Sequence, residues 1–398
     1  MLLYFQIFSV SEFYFVRSYD MSKPSDTSNS SIRQSNFELL RIVAMFMIIA
    51  HHLCGHGGLK FDNSVFSVNH LWTDVFSMGG KIGVNIFFLI SGYFLVKTKN
   101  VTVNKIIKLW AQLLFYSISV FLFFYFSGLF KGMSISGFAF ELFKSCFPVI
   151  TETWWFASVY FLLYIFSPFI NRFLKLLDKK NYRLMLIIMT FFWCIVPTFT
   201  VEQYPVQCTY LVWAVYVYSI AGYYRLYGFS RKFSDKKAGF WITLAVITIL
   251  ITAFTVFVIM LLGTKISFFE GRSKHFLQEH SLLLLAIAVF LFLGFQKLKI
   301  QSKFINIVAG STFGIYLIHD YANSRILWKT IFHFPDFQES IMLIPYSILV
   351  VLITFVVCCI IDLIRKYAFE PLYLKLLNYA LSPLIKGTKK LIEKLVDI

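Results

Sequence analysis

Four ionisable side chains stand where they are hardest to keep. The segment NFELLRIVAMFMIIAHHLCGHGG, residues 36–58, is apolar and long enough to enter a bilayer, yet it holds Glu38, Arg41, His51 and His52. Ionisable groups at membrane depth are costly, so their presence points to a functional site. The separation of Arg41 and His52 corresponds on an α-helix to about 1100°, roughly 20° from the same face, and about 16 Å along the axis. One helical stripe thus presents a permanent cation near one end and a titratable imidazole near the other. The plainer alternative pairs Glu38 with Arg41 (i, i+3) at the membrane surface and leaves His52 idle in the opposite interface. His51 points about 100° away from His52 and is the weaker candidate.

Other residues could join this chemistry. His319 is followed by Asp320, with Arg325 close behind; such a pair is either solvated loop or part of a site. His52 and His56 are four apart and could share a metal, but Gly55, Gly57 and Gly58 disfavour a continuing helix. No third ligand is evident, so no metal is expected. Ser91 and Gly92 read as small residues that let transmembrane backbones approach. Lys105 and Lys108 are either phosphate ligands or ordinary cytoplasmic flanking charges. Trp154 and Trp155 suit an interfacial aromatic belt, with a stacking platform for a sugar ring as the second reading.

The elements that must position these residues are membrane helices. Of the 398 residues 58% are hydrophobic and only 14% charged, with mean hydropathy +0.72, which implies an all-α polytopic membrane bundle. Hydropathy predicts about ten spans, near 37–55, 80–96, 107–130, 154–171, 184–201, 209–227, 239–262, 281–296, 304–319 and 341–362. Lys and Arg fall on alternate sides of these spans with a bias of about three to one, which places both termini in the cytoplasm. That topology and an anionic inner leaflet account for the net charge of +17 without nucleic acid.

Three units follow. Residues 1–36 form an N-terminal lead-in, expected to be disordered, with residues 1–20 expected to be untranslated if synthesis starts at Met21 or else a loose interfacial segment. Residues 37–362 form the membrane domain. Residues 363–398 form a basic amphipathic tail on the cytoplasmic face, broken by Pro371 and Pro383. The six cysteines show no CxxC spacing and read as buried apolar residues.

Four segments together resemble the membrane acyltransferase-3 family. The Arg41-x10-His52 helix matches that family's Arg-x10-His pattern without a gap. GVNIFFLISGYF, residues 83–94, is similar to its Phe-Phe-x-x-Ser-Gly-Phe/Tyr run, and is followed by NKIIKLW, residues 104–110, where the family usually carries arginines. STFGIYLIHDY, residues 311–321, is close to the Tyr-Leu-x-His ending of bacterial members, and WWFASVYFLLYIFSPFIN, residues 154–171, has the same character. The resemblance covers residues 37 to about 362.

That resemblance implies transfer of an acyl group from cytosolic acyl-CoA to a glycan or related acceptor. Such transfer needs a base for the acceptor hydroxyl or a nucleophile that holds the acyl group, and imidazole serves either role. His52 is the expected catalyst, by direct attack or through an acetyl-His intermediate. His319 would orient the acceptor or stabilise the carbonyl oxygen, with Asp320 and Arg325 in the same cluster. Arg41, fixed by Glu38, would hold the coenzyme A pyrophosphate, with Ser91 near the donor channel and Lys105 and Lys108 on the adenosine phosphates. The roughly 16 Å from Arg41 to His52 is of the order of an extended pantetheine arm. Trp154 and Trp155 would serve the acceptor. The expected protein is a multi-pass O-acetyltransferase of the bacterial cell membrane, surrounded by lipid. Its expected donor is acetyl-CoA and its acceptor a surface polysaccharide or lipid-linked precursor. The alternatives are a secondary transporter, which should show two related halves, or a glycan-assembly membrane protein without chemistry of its own.

Overall fold

A computed structural model describes residues 33–128, 133–200, 209–228, 231–377, 379, 380 and 383. The expected lead-in up to residue 32, Cys208 and most of the tail beyond Leu377 lie outside the described residues. Among the described residues all regular structure is helical.

The chain opens with α1 (Ser35–His56), followed by α2 (Val68–Ser77), α3 (Gly79–Leu95), α4 (Val103–Phe126), α5 (Ile135–Ser145) and α6 (Trp155–Leu176). Next come α7 (Lys179–Thr190), a π-turn at Phe191–Ile195, α8 (Val196–Phe199), α9 (Tyr210–Tyr227), α10 (Arg231–Ser234) and α11 (Ala238–Gly263). The last third holds α12 (Leu282–Gln296), α13 (Lys303–Ala309), α14 (Thr312–His319), α15 (Leu327–Thr330) and α16 (Leu343–Ile364).

Among the described residues, eight helical stretches are long and apolar enough to cross a bilayer. They overlap eight of the ten expected spans; most edges shift by a few residues, but the second stretch starts at Val68 and the last runs to Leu377. The other two differ for physical reasons. The span expected at 209–227 is α9, whose 18 residues carry six tyrosines and whose inner face is buried in the bundle rather than turned to lipid. The span expected at 304–319 is interrupted: Gly310 and Ser311 separate α13 from α14. A Cβ at Gly314 would collide with the Asp362 side chain on α16, whereas one at Gly310 would meet only the tip of the Lys366 side chain, so the close approach falls at Gly314.

Helix α1 is the axis of the bundle and packs on α2, α3, α12, α13, α14 and α16. Small residues set that closeness. A Cβ at Gly83 would lie 2.7 Å from the Ala44 carbonyl oxygen, and one at Gly92 would overlap the Tyr218 backbone. The expected packing role of Gly92 is therefore seen directly, with α9 as the neighbour it admits.

Ordered contacts continue on both sides of residues 37–362. Arg33 donates to the Asn306 carbonyl at 3.0 Å, and Ser35 and Asn36 are buried, so residues 33–36 belong to the folded body. At the other end α16 runs on through a π-turn at Arg365–Phe369 and stays helical to Leu377. Pro371 does not break it. The π-turn widens the helix just where proline's missing N–H and ring must be accommodated. Arg365 is no flanking charge: it is 3% exposed and donates to Asp362 at 2.8 Å and to Glu370 at 2.6 Å. Tyr116 of α4 donates to the same Asp362 oxygen at 2.7 Å, which ties α4 to α16. The described cysteines are free thiols.

Candidate active site

Two places on α1 gather the chemistry, one near each end. Near the start, Arg41 donates to both carboxylate oxygens of Glu38, at 3.1 and 3.3 Å. The pair does not close the site off, because both residues line a cavity of about 400 Å³ between α1, α3, α4, α6 and the α13–α14 break. Ser91, Lys105 and Lys108 line the same cavity. Ser91 is held by a 2.8 Å hydrogen bond to the Phe87 carbonyl, Lys108 is paired with Glu370, and Lys105 is exposed. All five residues expected to hold the donor thus share one cavity, which Arg33, Arg41, Lys105 and Lys108 line as cations.

Near the far end of α1, His52 meets α14. Its Nδ1 lies 3.0 Å from His319 Nε2 and 3.5 Å from Asp320 Oδ1. His319 Nδ1 lies 2.6 Å from the Ile315 carbonyl oxygen. Asp320 Oδ1 accepts from Arg325 Nη2 at 2.7 Å and from its Nε at 3.2 Å. His319 is 3% exposed and Asp320 2%, so this pair is not solvated loop. Tyr316 and Trp328 pack beside the histidines, with ring centroids 6.1 and 6.4 Å from that of His319.

For neutral rings these partners fix the hydrogens. A carbonyl only accepts, so His319 Nδ1 carries its proton and His319 Nε2 is bare. His52 Nδ1 must then donate to that bare nitrogen. This leaves the lone pair of His52 on Nε2, to which no described residue makes a hydrogen bond. His319 and the Ile315 carbonyl therefore select the His52 tautomer whose Nε2 can accept a proton or attack a carbonyl.

The two remaining candidates fall differently. Trp154 is 2% exposed and packs on Tyr321, with ring centroids 5.6 Å apart, one residue beyond Asp320; its indole is buried rather than belt-forming. Trp155 packs on Tyr210 of α9, with tilted rings 4.4 Å apart, and does not join the histidine cluster. His51 lies beside His52, with ring centroids 5.6 Å apart, and its Nδ1 is engaged by the Ser77 carbonyl at 2.6 Å. Helix α1 continues through His56 despite Gly55, yet among the described residues no group of three metal-ligating side chains assembles.

Sequence reasoning missed several lining residues that helical spacing could have found. Gln112 lines the cavity and continues the stripe Lys105, Lys108, Leu109, Gln112, which follows i, i+3, i+4, i+7. Phe156, Tyr160 and Tyr164 line it as a second stripe on α6. Arg33 had been assigned to the lead-in. Tyr316 sits three residues before His319 and so faces the same way.

Fold and site together define a multi-pass helical membrane protein with a cation-lined cavity at one end of a helix and a paired-histidine cluster at the other. A family model described as an acyltransferase domain matches residues 34–363. The chain belongs to the membrane acyltransferase-3 family and is a membrane acyltransferase. No curated protein and no solved structure matches it.

Proposed function

We propose that this protein moves an acetyl group from cytosolic acetyl-CoA to a hydroxyl of a cell-surface polysaccharide or its lipid-linked precursor. The observation that carries the reading is that two helices each join the two sites. Helix α1 bears Arg41 at the cavity and His52 at the cluster; α14 begins at the cavity with Thr312 and ends at His319. In this reading the coenzyme A phosphates lie against Arg41, Lys105 and Lys108, where a guanidinium binds phosphate oxygens bidentately. The arm then runs alongside α1 and α14 toward the imidazoles.

The transfer itself is conserved in atoms and charge. His52 Nε2 takes the proton of the acceptor hydroxyl, the hydroxyl oxygen bonds to the acetyl carbonyl carbon, and the C–S bond breaks. The proton on His52 then passes to the leaving thiolate. Asp320 places a negative charge 3.5 Å from the ring that becomes cationic between these steps, a stabilising arrangement of the histidine–carboxylate kind. A route through acetyl-His52 uses the same nitrogen as nucleophile.

The same reading has both termini and the cavity mouth on the cytoplasmic side of a bacterial cell membrane, with about ten crossings that include α9 and the α13–α14 pair. Membrane lipid surrounds the bundle, and neither a metal nor nucleic acid takes part. The test is to supply isotopically labelled acetyl-CoA to inverted membrane vesicles. Label in the glycan or glycolipid fraction with wild type and not with His52→Ala supports the reading. Equal label in both, or none in either at normal protein abundance, contradicts it.

A further inference from the structure

The cavity and the histidine pair do not touch. Phe156, in the first turn of α6, lines the inner wall of the cavity. Behind it stands Tyr316, whose ring meets that of Phe156 edge-on at 5.4 Å. Behind Tyr316 in turn are His52, at 6.2 Å between ring centroids, and His319, at 6.1 Å. Both aromatic rings are buried, and Phe156 is held on its other sides by Phe88 at 5.4 Å and Phe87 at 5.9 Å. The wall between donor cavity and catalyst is therefore two rings thick. Any acyl group that reaches His52 occupies space that these rings give up.

We infer that Phe156 and Tyr316 form a partition that sets the size of the acyl group passed from the cavity to His52. The inference rests on the acetyl-CoA reading above and deepens it. A rotating ring opens a slot of small, fixed volume, because a packed interior yields by discrete side-chain rearrangement rather than by gradual expansion. Two carbons fit such a slot; longer chains must displace Phe87 and Phe88 as well. Pockets of this kind discriminate by about tenfold or more per methylene. Phe156 is thus a specificity residue, and Tyr316 positions it while walling off the imidazoles.

The experiment offers acetyl-CoA and butyryl-CoA together, at equal concentration, to membranes carrying the full-length protein and its native acceptor. The readout is the butyryl-to-acetyl ratio on the glycan, by mass spectrometry. Wild type is expected to transfer acetyl almost alone. Phe156→Ala is expected to raise the ratio by at least about tenfold, with Phe156→Leu in between. Phe156→Leu carries the test if the alanine variant fails to accumulate. An unchanged ratio in variants that still transfer acetyl overturns the partition and leaves the acetyltransferase reading standing. Loss of acetyl transfer in both variants at normal abundance also overturns it, since Phe156 would then hold the donor in the cavity rather than size the group that leaves it. Transfer of neither donor by the wild type overturns both.

Discussion

Replacing His319 by alanine isolates the tautomer argument from the rest of the site. His319 Nε2 is the acceptor for the His52 Nδ1 proton at 3.0 Å, and removing it leaves a buried donor unsatisfied. That loss costs about 1–3 kcal/mol, and at about 1.36 kcal/mol per tenfold it corresponds to roughly 5- to 150-fold. The loss should fall on kcat, because the ring orientation matters when the proton moves. The KM for acetyl-CoA should hold, because His319 lies outside the donor cavity. His52→Ala removes the proton acceptor itself and should cost more, about 10²–10⁴-fold. His319→Gln, whose amide oxygen accepts a hydrogen bond, should recover part of the rate. The assay is the initial rate of labelled acetyl incorporation in vesicles across a range of acetyl-CoA concentrations. A raised KM with unchanged kcat, or a His319→Ala defect equal to that of His52→Ala, would refute the reasoning.

Two other substitutions probe the two ends of α1. Arg41→Ala should raise the KM for acetyl-CoA by about tenfold or more, the worth of a charge-assisted hydrogen bond, and should leave kcat nearly intact; the same saturation curves measure it. Arg325→Ala strands the buried Asp320 carboxylate and should destabilise the protein by about 3–5 kcal/mol. A thermal-shift measurement in detergent should show that loss, with much of it restored when Asp320→Asn is added; no recovery would mean that Arg325 supports the fold by packing instead.

The sequence carried the ends of the argument better than its middle. Arg41 and His52 were legible because charge in an apolar helix is conspicuous and helical spacing is fixed, so both could be placed on one element without knowing its neighbours. Span positions were legible because apolar runs of bilayer length repeat along the chain. What a single chain does not encode locally is which helix lies beside which. The 3.0 Å approach of His52 and His319 joins residues far apart in sequence. Trp154 looked like an interfacial residue because hydropathy sees only its position at a span end, yet it is buried on Tyr321. The break at Gly310 and Ser311 was hidden for a similar reason. Hydropathy averages across a two-residue interruption, and the close approach of Asp362 to Gly314 just after it comes from α16. The role of Arg365 is hidden in the sequence because its partners Asp362 and Glu370 become visible as partners only when the helix is seen to continue past Ile364.

The central claim is that His52 transfers acetyl groups to a surface glycan, and the O-acetyl content of that glycan measures it most directly. Mass spectrometry would compare a strain lacking the protein, one carrying the wild type, and one carrying His52→Ala at equal membrane abundance. O-acetyl groups present with the wild type and absent from both other strains is the predicted result. Equal acetylation in all three would contradict the proposed activity, and acetylation restored by His52→Ala would contradict the assigned catalyst.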